Sequence, residues 1–187
     1  MARKNTSEMA VMGLLAMGAR TGYDVRKDCE EKLSHFWSES YGQIYPVLRA
    51  LHERGWVDRE PVAGGGPTRY EHQLTDEGLA ALQEWIAAPP QPLRVRDELL
   101  LKLFLGRLVD RKDLGVLLRA HAKRAGARRD GLLAIREMMK AGRSDLPDAP
   151  FWLVTVDFGI RSLEAQAEWA HASLKALGLE EVGEEDG

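Results

Sequence analysis

Apolar positions along the first half of the chain recur at helical spacing, then alternate, then return to helical spacing. Met9, Val11, Met12, Leu14, Leu15 and Met17 make a helix-compatible run over residues 6–18 that Thr6 or Ser7 can cap. The stretch from Gly18 to Gly22 breaks it, and Val25, Cys29 and Leu33, at i, i+4 and i+8, predict a second helix from about Thr21. In SYGQIYPVLRALHERGWV, from Ser40 to Val57, Ser40 and Gln43 read as a capping box opening a third helix. Its core face is Ile44, Val47, Leu48 and Leu51, which leaves Gln43, Tyr45, Pro46, Arg49 and Glu53 outward. Pro46 costs one backbone bond, to the carbonyl of Gly42, where glycine leaves space for the ring. Gly55 is placed to end the helix in the left-handed conformation, and Trp56 to Val62 has the character of a short strand.

After a tip of Gly64, Gly65, Gly66 and Pro67, the residues from Thr68 to Leu74 alternate, with Tyr70, His72 and Leu74 on one side. This predicts a β-hairpin. Thr75, with Asp76 and Glu77 behind it, caps a fourth helix carrying Leu79, Leu82, Trp85 and Ile86. Pro89, Pro90 and Pro92 make a stiff linker. Beyond it Leu99, Leu100, Leu101, Leu103, Phe104 and Leu105 surround their helix, which predicts burial on several sides. Leu114, Leu117, Leu118, His121, Leu132, Ile135 and Met139 mark a long amphipathic segment. Asp148 and Pro150 open a last helix running through Trp152, Val156, Leu163, Trp169 and Leu177 to Gly178.

The fold class expected is mainly α with one small β-hairpin. A winged helix-turn-helix would occupy 1–88 and a Pro-rich linker 89–96. A helical dimerisation and effector domain would follow at 97–179, then an acidic tail at 180–187. So much apolar helix surface calls for a partner, and two-fold pairing of the chain with itself supplies one, through Leu99, Leu103, Phe104, Trp169, Leu174 and Leu177.

Composition narrows the function. With 44% hydrophobic and 29% charged residues in 187, the chain is globular, and its apolar stretch from Met9 to Met17 is too short to span a bilayer. A soluble, cytoplasmic protein with no membrane partner is expected. Cys29, the single cysteine, lies among Asp28, Glu30 and Glu31, which would raise its thiol pKa, and reads as reduced and unreactive. The five histidines show no ligand spacing, so neither metal nor cofactor is expected, and no catalytic motif points to an enzyme. A net charge of -3 counts against nucleic-acid binding, but the acidic residues near the end can sit far from a basic face.

Three helices followed by a hairpin describe a winged helix-turn-helix, whose third helix enters the major groove of double-stranded DNA. The same fold also serves as a protein-contact module without DNA affinity. On the DNA reading, Gln43 is suited to adenine and Arg49 to guanine, and either can instead hold phosphate. Tyr45 and Tyr23 suit phosphate or sugar, and Ser40, Thr68 and Arg69 complete the set. Arg3 and Lys4 form either a phosphate-binding arm or a disordered terminus. Arg119, Lys123, Arg124, Arg128 and Arg129 read as a solvated face paired with acids such as Asp130, Glu137 or the tail, with a phosphate or partner contact left open.

In order and at natural spacing, the chain carries Gly22-Tyr23-Asp24, Gly42-Gln43-Ile44-Tyr45-Pro46-Val47-Leu48, Gly55-Trp56-Val57, Arg69-Tyr70 and Leu74-Thr75-Asp76-Glu77-Gly78. In these it resembles the PadR family of bacterial transcriptional regulators, and the helical segment from Asp97 resembles the longer subgroup. The resemblance implies a homodimeric repressor on a palindromic operator, released by a small molecule such as a phenolic compound. Trp152 and Trp169 are candidates to stack an aromatic effector, and otherwise are core or interface residues. Two departures weaken the wing: its tip has no Lys or Arg before Arg69, and Glu71 stands where many relatives carry an aromatic residue or a base.

Overall fold

The computed structural model describes residues 6–18, 20–37, 43–62, 69–92, 96–142 and 146–180. The chain divides into two compact units, Met1–Pro92 and Leu93–Gly187.

Helix α1 (Thr6–Ala16) is the central element of the first unit, touching α2 (Gly22–Asp28), α3 (Ile44–Glu53), α4 (Asp76–Ala87) and strand β2 (Tyr70–Leu74). A helix that is apolar on nearly every side must be covered on every side, and Met9, Val11, Met12, Leu14 and Leu15 are all buried. Gly18 then turns the chain with φ +105°, a conformation that L side chains rarely adopt. Thr21 caps α2 reciprocally: its hydroxyl accepts from the Asp24 N–H at 3.2 Å, and the Asp24 carboxylate accepts from the Thr21 N–H at 2.9 Å. The expected continuation to Leu33 is present, but as a wider π-helical turn over Cys29–Leu33. Cys29, the single cysteine, is buried in the core.

Ile44, Val47, Leu48 and Leu51 of α3 pack into the same core, as their spacing predicts. The helix begins at Ile44 behind Gln43, which makes no side-chain cap bond, while the expected cap Ser40 lies outside the described residues. Gly55 ends the helix with φ +76°. Strand β1 (Val57–Pro61) pairs antiparallel with β2, setting Val57 opposite Leu74, Arg59 opposite His72 and Pro61 opposite Tyr70. The wing is tied to the turn before α2: Thr21 bridges Glu71, and the His72 N–H donates to the Arg20 carbonyl at 2.7 Å. Thr75 joins hairpin to α4, accepting from the Gly78 N–H at 3.0 Å and donating to the Gly55 carbonyl at 2.8 Å. Leu82 of α4 is buried and Trp85 half-buried, whereas Leu79 and Ile86 face outward.

The second unit starts with α5 (Glu98–Phe104), whose N-cap Asp97 accepts from the Leu100 N–H at 3.1 Å, and a 3₁₀ turn at Gly106–Leu108. Two long helices follow, α6 (Arg111–Gly142) and α7 (Ala149–Ala176). They run antiparallel, because Leu118 and Ala122 near the start of α6 meet Ala170 and Leu174 near the end of α7. Further along α6, Ala125 and Leu132 meet Val156, Ile160 and Leu163. Arg119 donates to the Leu179 carbonyl at 3.1 Å and Arg111 to that of Leu177, which hold the end of α7 against α6.

Within one chain, much of the apolar surface of this unit is left uncovered. Helix α5 is not covered on several sides within one chain: Leu99 and Leu103 are half-buried, but Leu100, Leu101 and Leu105 are exposed and Phe104 is 85% exposed. A helix of seven residues is only about 10 Å long, and its apolar ring has more sides than the chain has surface to cover. Leu174, a candidate for the dimer interface, is 6% exposed and packs within its own chain, and Leu103, Trp169 and Leu177 pack partly on the same cluster. Trp152 and Trp169, the two effector candidates, stand seventeen residues apart on α7, about 25 Å along the helix. Among the described residues no helix is long and apolar enough to cross a membrane.

Candidate nucleic-acid interface

Because four apolar residues lock one face of α3 to the core, the other face is determined by helical geometry. It carries Tyr45, Pro46, Arg49 and Glu53, all exposed. Tyr45 and Arg49 are one turn apart on the same exposed face of the helix. Gln43 is exposed just ahead of the helix, at its open N-terminal end. The far end is clamped by Arg54, which meets Glu8 of α1 through two bonds of 2.9 and 3.2 Å and covers the Trp56 ring at 4.5 Å. The helix is therefore anchored at its C-terminal end and along one side, with its outward face free.

Tyr23 lies in the first turn of α2 and is 67% exposed; Tyr45, in the first turn of α3, is 63% exposed. The two helix starts meet at Gly22, where the Tyr45 ring edge rests against the glycine: a Cβ there would sit 2.6 Å from Tyr45 Cε1. Beside it, the Asp24 carboxyl is held below the usual carboxylate range, first by the Thr21 backbone N–H and then by the Thr21 hydroxyl. Asp24 thus stays ionised as a cap and takes no part in proton exchange near neutral pH.

The wing is electrostatically mixed. One face carries Asp58, Glu60, Glu71 and Gln73, with Glu60 directly opposite Glu71, a like-charge pair that disfavours both the strand pairing and a nearby phosphate. Arg20 relieves it through an exposed ion pair to Glu71 at 3.6 Å. The other face carries Arg59, whose guanidinium lies over the Tyr70 ring at 5.0 Å. Arg69 is exposed, its carbonyl accepting from the Val62 N–H at the base of the tip. Thr68, the tip itself, Ser40, Arg3 and Lys4 lie outside the described residues. The structure thus brings Tyr23, Gln43, Tyr45 and Arg49 to the starts and outer face of two adjoining helices.

Sequence reading missed Arg59, Arg20 and Gly22. Period-two alternation from Val57 would have placed Arg59 on the Tyr70 side of the hairpin. Nothing local could have revealed the Arg20–Glu71 pair or the Tyr45–Gly22 contact, which are made between elements.

A small apolar crevice lined by Val11, Val25, Cys29, Gln43 and Ile44 has room for about one water molecule. It is too small for an aromatic ligand. In the second unit His121 and Trp169 meet edge to face at 5.8 Å, and the His121 Nε2 is buried without a hydrogen-bond partner. Among the described residues, no group of three or more His, Cys, Asp or Glu is arranged to hold a metal ion.

Comparison with known proteins places the two units in separate family models. Residues 11–84 match the transcriptional regulator PadR-like family, and residues 95–178 match the virulence activator alpha C-terminal family. The chain is 30% identical over 151 residues to the negative transcriptional regulator PadR of Bacillus subtilis, covering 78% of this chain and 83% of that one. It is also similar to the crystal structure of Bacillus subtilis PadR in complex with operator DNA, at a TM-score of 0.79 and 27% identity, over 92% of this chain and 99% of that one. The same regulator in complex with p-coumaric acid matches at a TM-score of 0.76 and 27% identity, over 93% and 99%.

Proposed function

This chain belongs to the PadR-like family of DNA-binding transcriptional regulators, which are not enzymes, and from that premise we propose a homodimeric repressor that binds a palindromic operator and leaves it when an aromatic acid binds. The observation that carries the DNA half of the reading is the outward face of α3, where Tyr45 and Arg49 stand exposed on a helix locked from behind by Ile44, Val47, Leu48 and Leu51. Arg49 pairs with a guanine edge or a phosphate, Gln43 reads a base at the helix start, and Tyr23 and Tyr45 hold the backbone. In the wing, Arg69 and Thr68 would contact phosphate, with Arg69 on the face that also carries Glu71.

A palindrome needs two recognition helices held about 34 Å apart, and we assign that task to the helical unit. Its free apolar residues support self-pairing: Leu100, Leu101, Phe104, Leu105 and Leu108 around α5, and Phe151, Val154 and Phe158 on α7. Of the proposed dimer residues, Leu99 and Phe104 remain available to a partner. For the effector, Trp169 is better equipped than Trp152. A phenolic hydroxyl or carboxylate placed against the indole would satisfy the His121 Nε2. The effector releases DNA only in so far as it binds the DNA-free arrangement more tightly.

Footprinting and salt-dependent gel shifts on the DNA upstream of the chain's own gene test the reading. A two-fold symmetric footprint is expected, with affinity falling steeply as salt rises and falling again on adding p-coumarate. No binding, or binding indifferent to salt, would leave the fold as a protein-contact module.

A further inference from the structure

Gly22 occupies the first position of α2, in a helical conformation that requires no glycine: its φ is not among the positive ones, and any other residue would favour the helix more. The nearest atoms that a side chain at this position would meet all belong to one group. A Cβ would come within 2.6 Å of Tyr45 Cε1, 3.1 Å of Cζ and 3.2 Å of Cδ1. Tyr45 is otherwise largely exposed, so the contact adds little to the core, and a methyl group would push aside the far end of a side chain rather than the backbone.

The contact has a directional effect. With Cε1 and Cζ against Gly22, the phenol is held across the junction of α2 and α3 instead of sampling its rotamers in solvent. An exposed side chain that is already seated forgoes the ordering cost that a free one meets on binding. Resting on the DNA reading given above, we infer that Gly22 is a positioning residue for operator binding: its missing side chain seats the Tyr45 ring so that the hydroxyl meets a phosphate in a preset orientation. Gly22 itself touches no DNA. The helix stability that glycine forfeits at this position is given up for the fit of the ring.

The test is a double-mutant cycle on full-length protein, with Gly22→Ala, Tyr45→Ala and the pair, measured on the footprinted upstream fragment alongside Arg49→Ala. Gly22→Ala should keep or slightly raise the wild-type thermal midpoint and weaken binding roughly three- to tenfold, the scale of one immobilised side chain. In the Tyr45→Ala background the same change should cost nothing further. Tyr45→Phe should recover little of the affinity lost in Tyr45→Ala. Wild-type affinity in Gly22→Ala, or an equal loss with and without Tyr45, overturns the inference while Arg49→Ala still reports DNA binding. If Gly22→Ala lowers the midpoint, the double variant must restore it, because the colliding ring is gone; a midpoint that stays low also overturns the inference. Undiminished binding by Arg49→Ala would instead count against the DNA reading itself.

Discussion

His72 lies on the inner face of the wing with Tyr70 and Leu74, its Nδ1 buried without a partner. Burial is the first cause that lowers its pKa below the ordinary 6.5; Arg59 opposite it and His52 of α3 lower it further, against the Arg20 backbone contact. His52 itself sets its Nδ1 2.9 Å from the Val57 carbonyl, and Glu71, beside His72 in β2, is exposed and paired with Arg20. A depressed histidine pKa means that the unfolded chain holds the extra proton over the window from 6.5 down to the folded-state value. Stability is therefore lost as pH falls through that window. The thermal midpoint should drop more between pH 7.5 and pH 5.5 in the wild type than in His72→Gln; parallel curves would remove His72 as the cause. Arg49 makes a different residue-level prediction. Arg49→Ala should weaken operator binding by about 1–3 kcal/mol if it reads a base, with discrimination relaxed at one position; competition between operator variants measures both. The outward place of Arg49 and Tyr45 was legible from the spacing of four apolar neighbours. The seat of Tyr45 was not, because Gly22 is twenty-three positions away in sequence.

Among the elements, α3, the hairpin and the Thr75 cap follow from local rules that agree with each other: a 3.6-residue period, a two-residue period, and a hydroxyl ahead of two acids. Helix α5 was less legible, since a ring of leucines predicts cover without saying whose. Glycines separate the element-level forces. At Gly78 a methyl group would collide with the backbone carbonyl of Trp56, the residue before β1, and backbone cannot swing aside. Gly126, inside α6, has nothing within 4 Å of where a Cβ would stand. Gly78→Ala should cost about 1–3 kcal/mol through overpacking, and Gly126→Ala should add about 0.5–1 kcal/mol through helix propensity. Urea unfolding midpoints that moved the same way in both would mean that close packing at the hairpin exit is not what demands glycine there.

For the molecule as a whole, the apolar residues left uncovered on α5 and α7 are what the proposed homodimer must account for. Phe104→Glu together with Phe158→Glu should lower the sedimentation coefficient toward that of a monomer and weaken operator binding, while the helical content stays unchanged. A variant that stays dimeric would move the interface elsewhere. The sequence by itself determined the element order, the core face of α3, the hairpin and the family, because each is written in residues close together along the chain. Only the tertiary structure decided that Leu174 is enclosed by its own helix pair and that Trp152 and Trp169 stand far apart. It also decided that Phe104 is exposed and that Tyr45 rests on Gly22. The physical reason is the same throughout: periodicity tells which side of an element avoids water, and only the packing of one element on another tells what covers it.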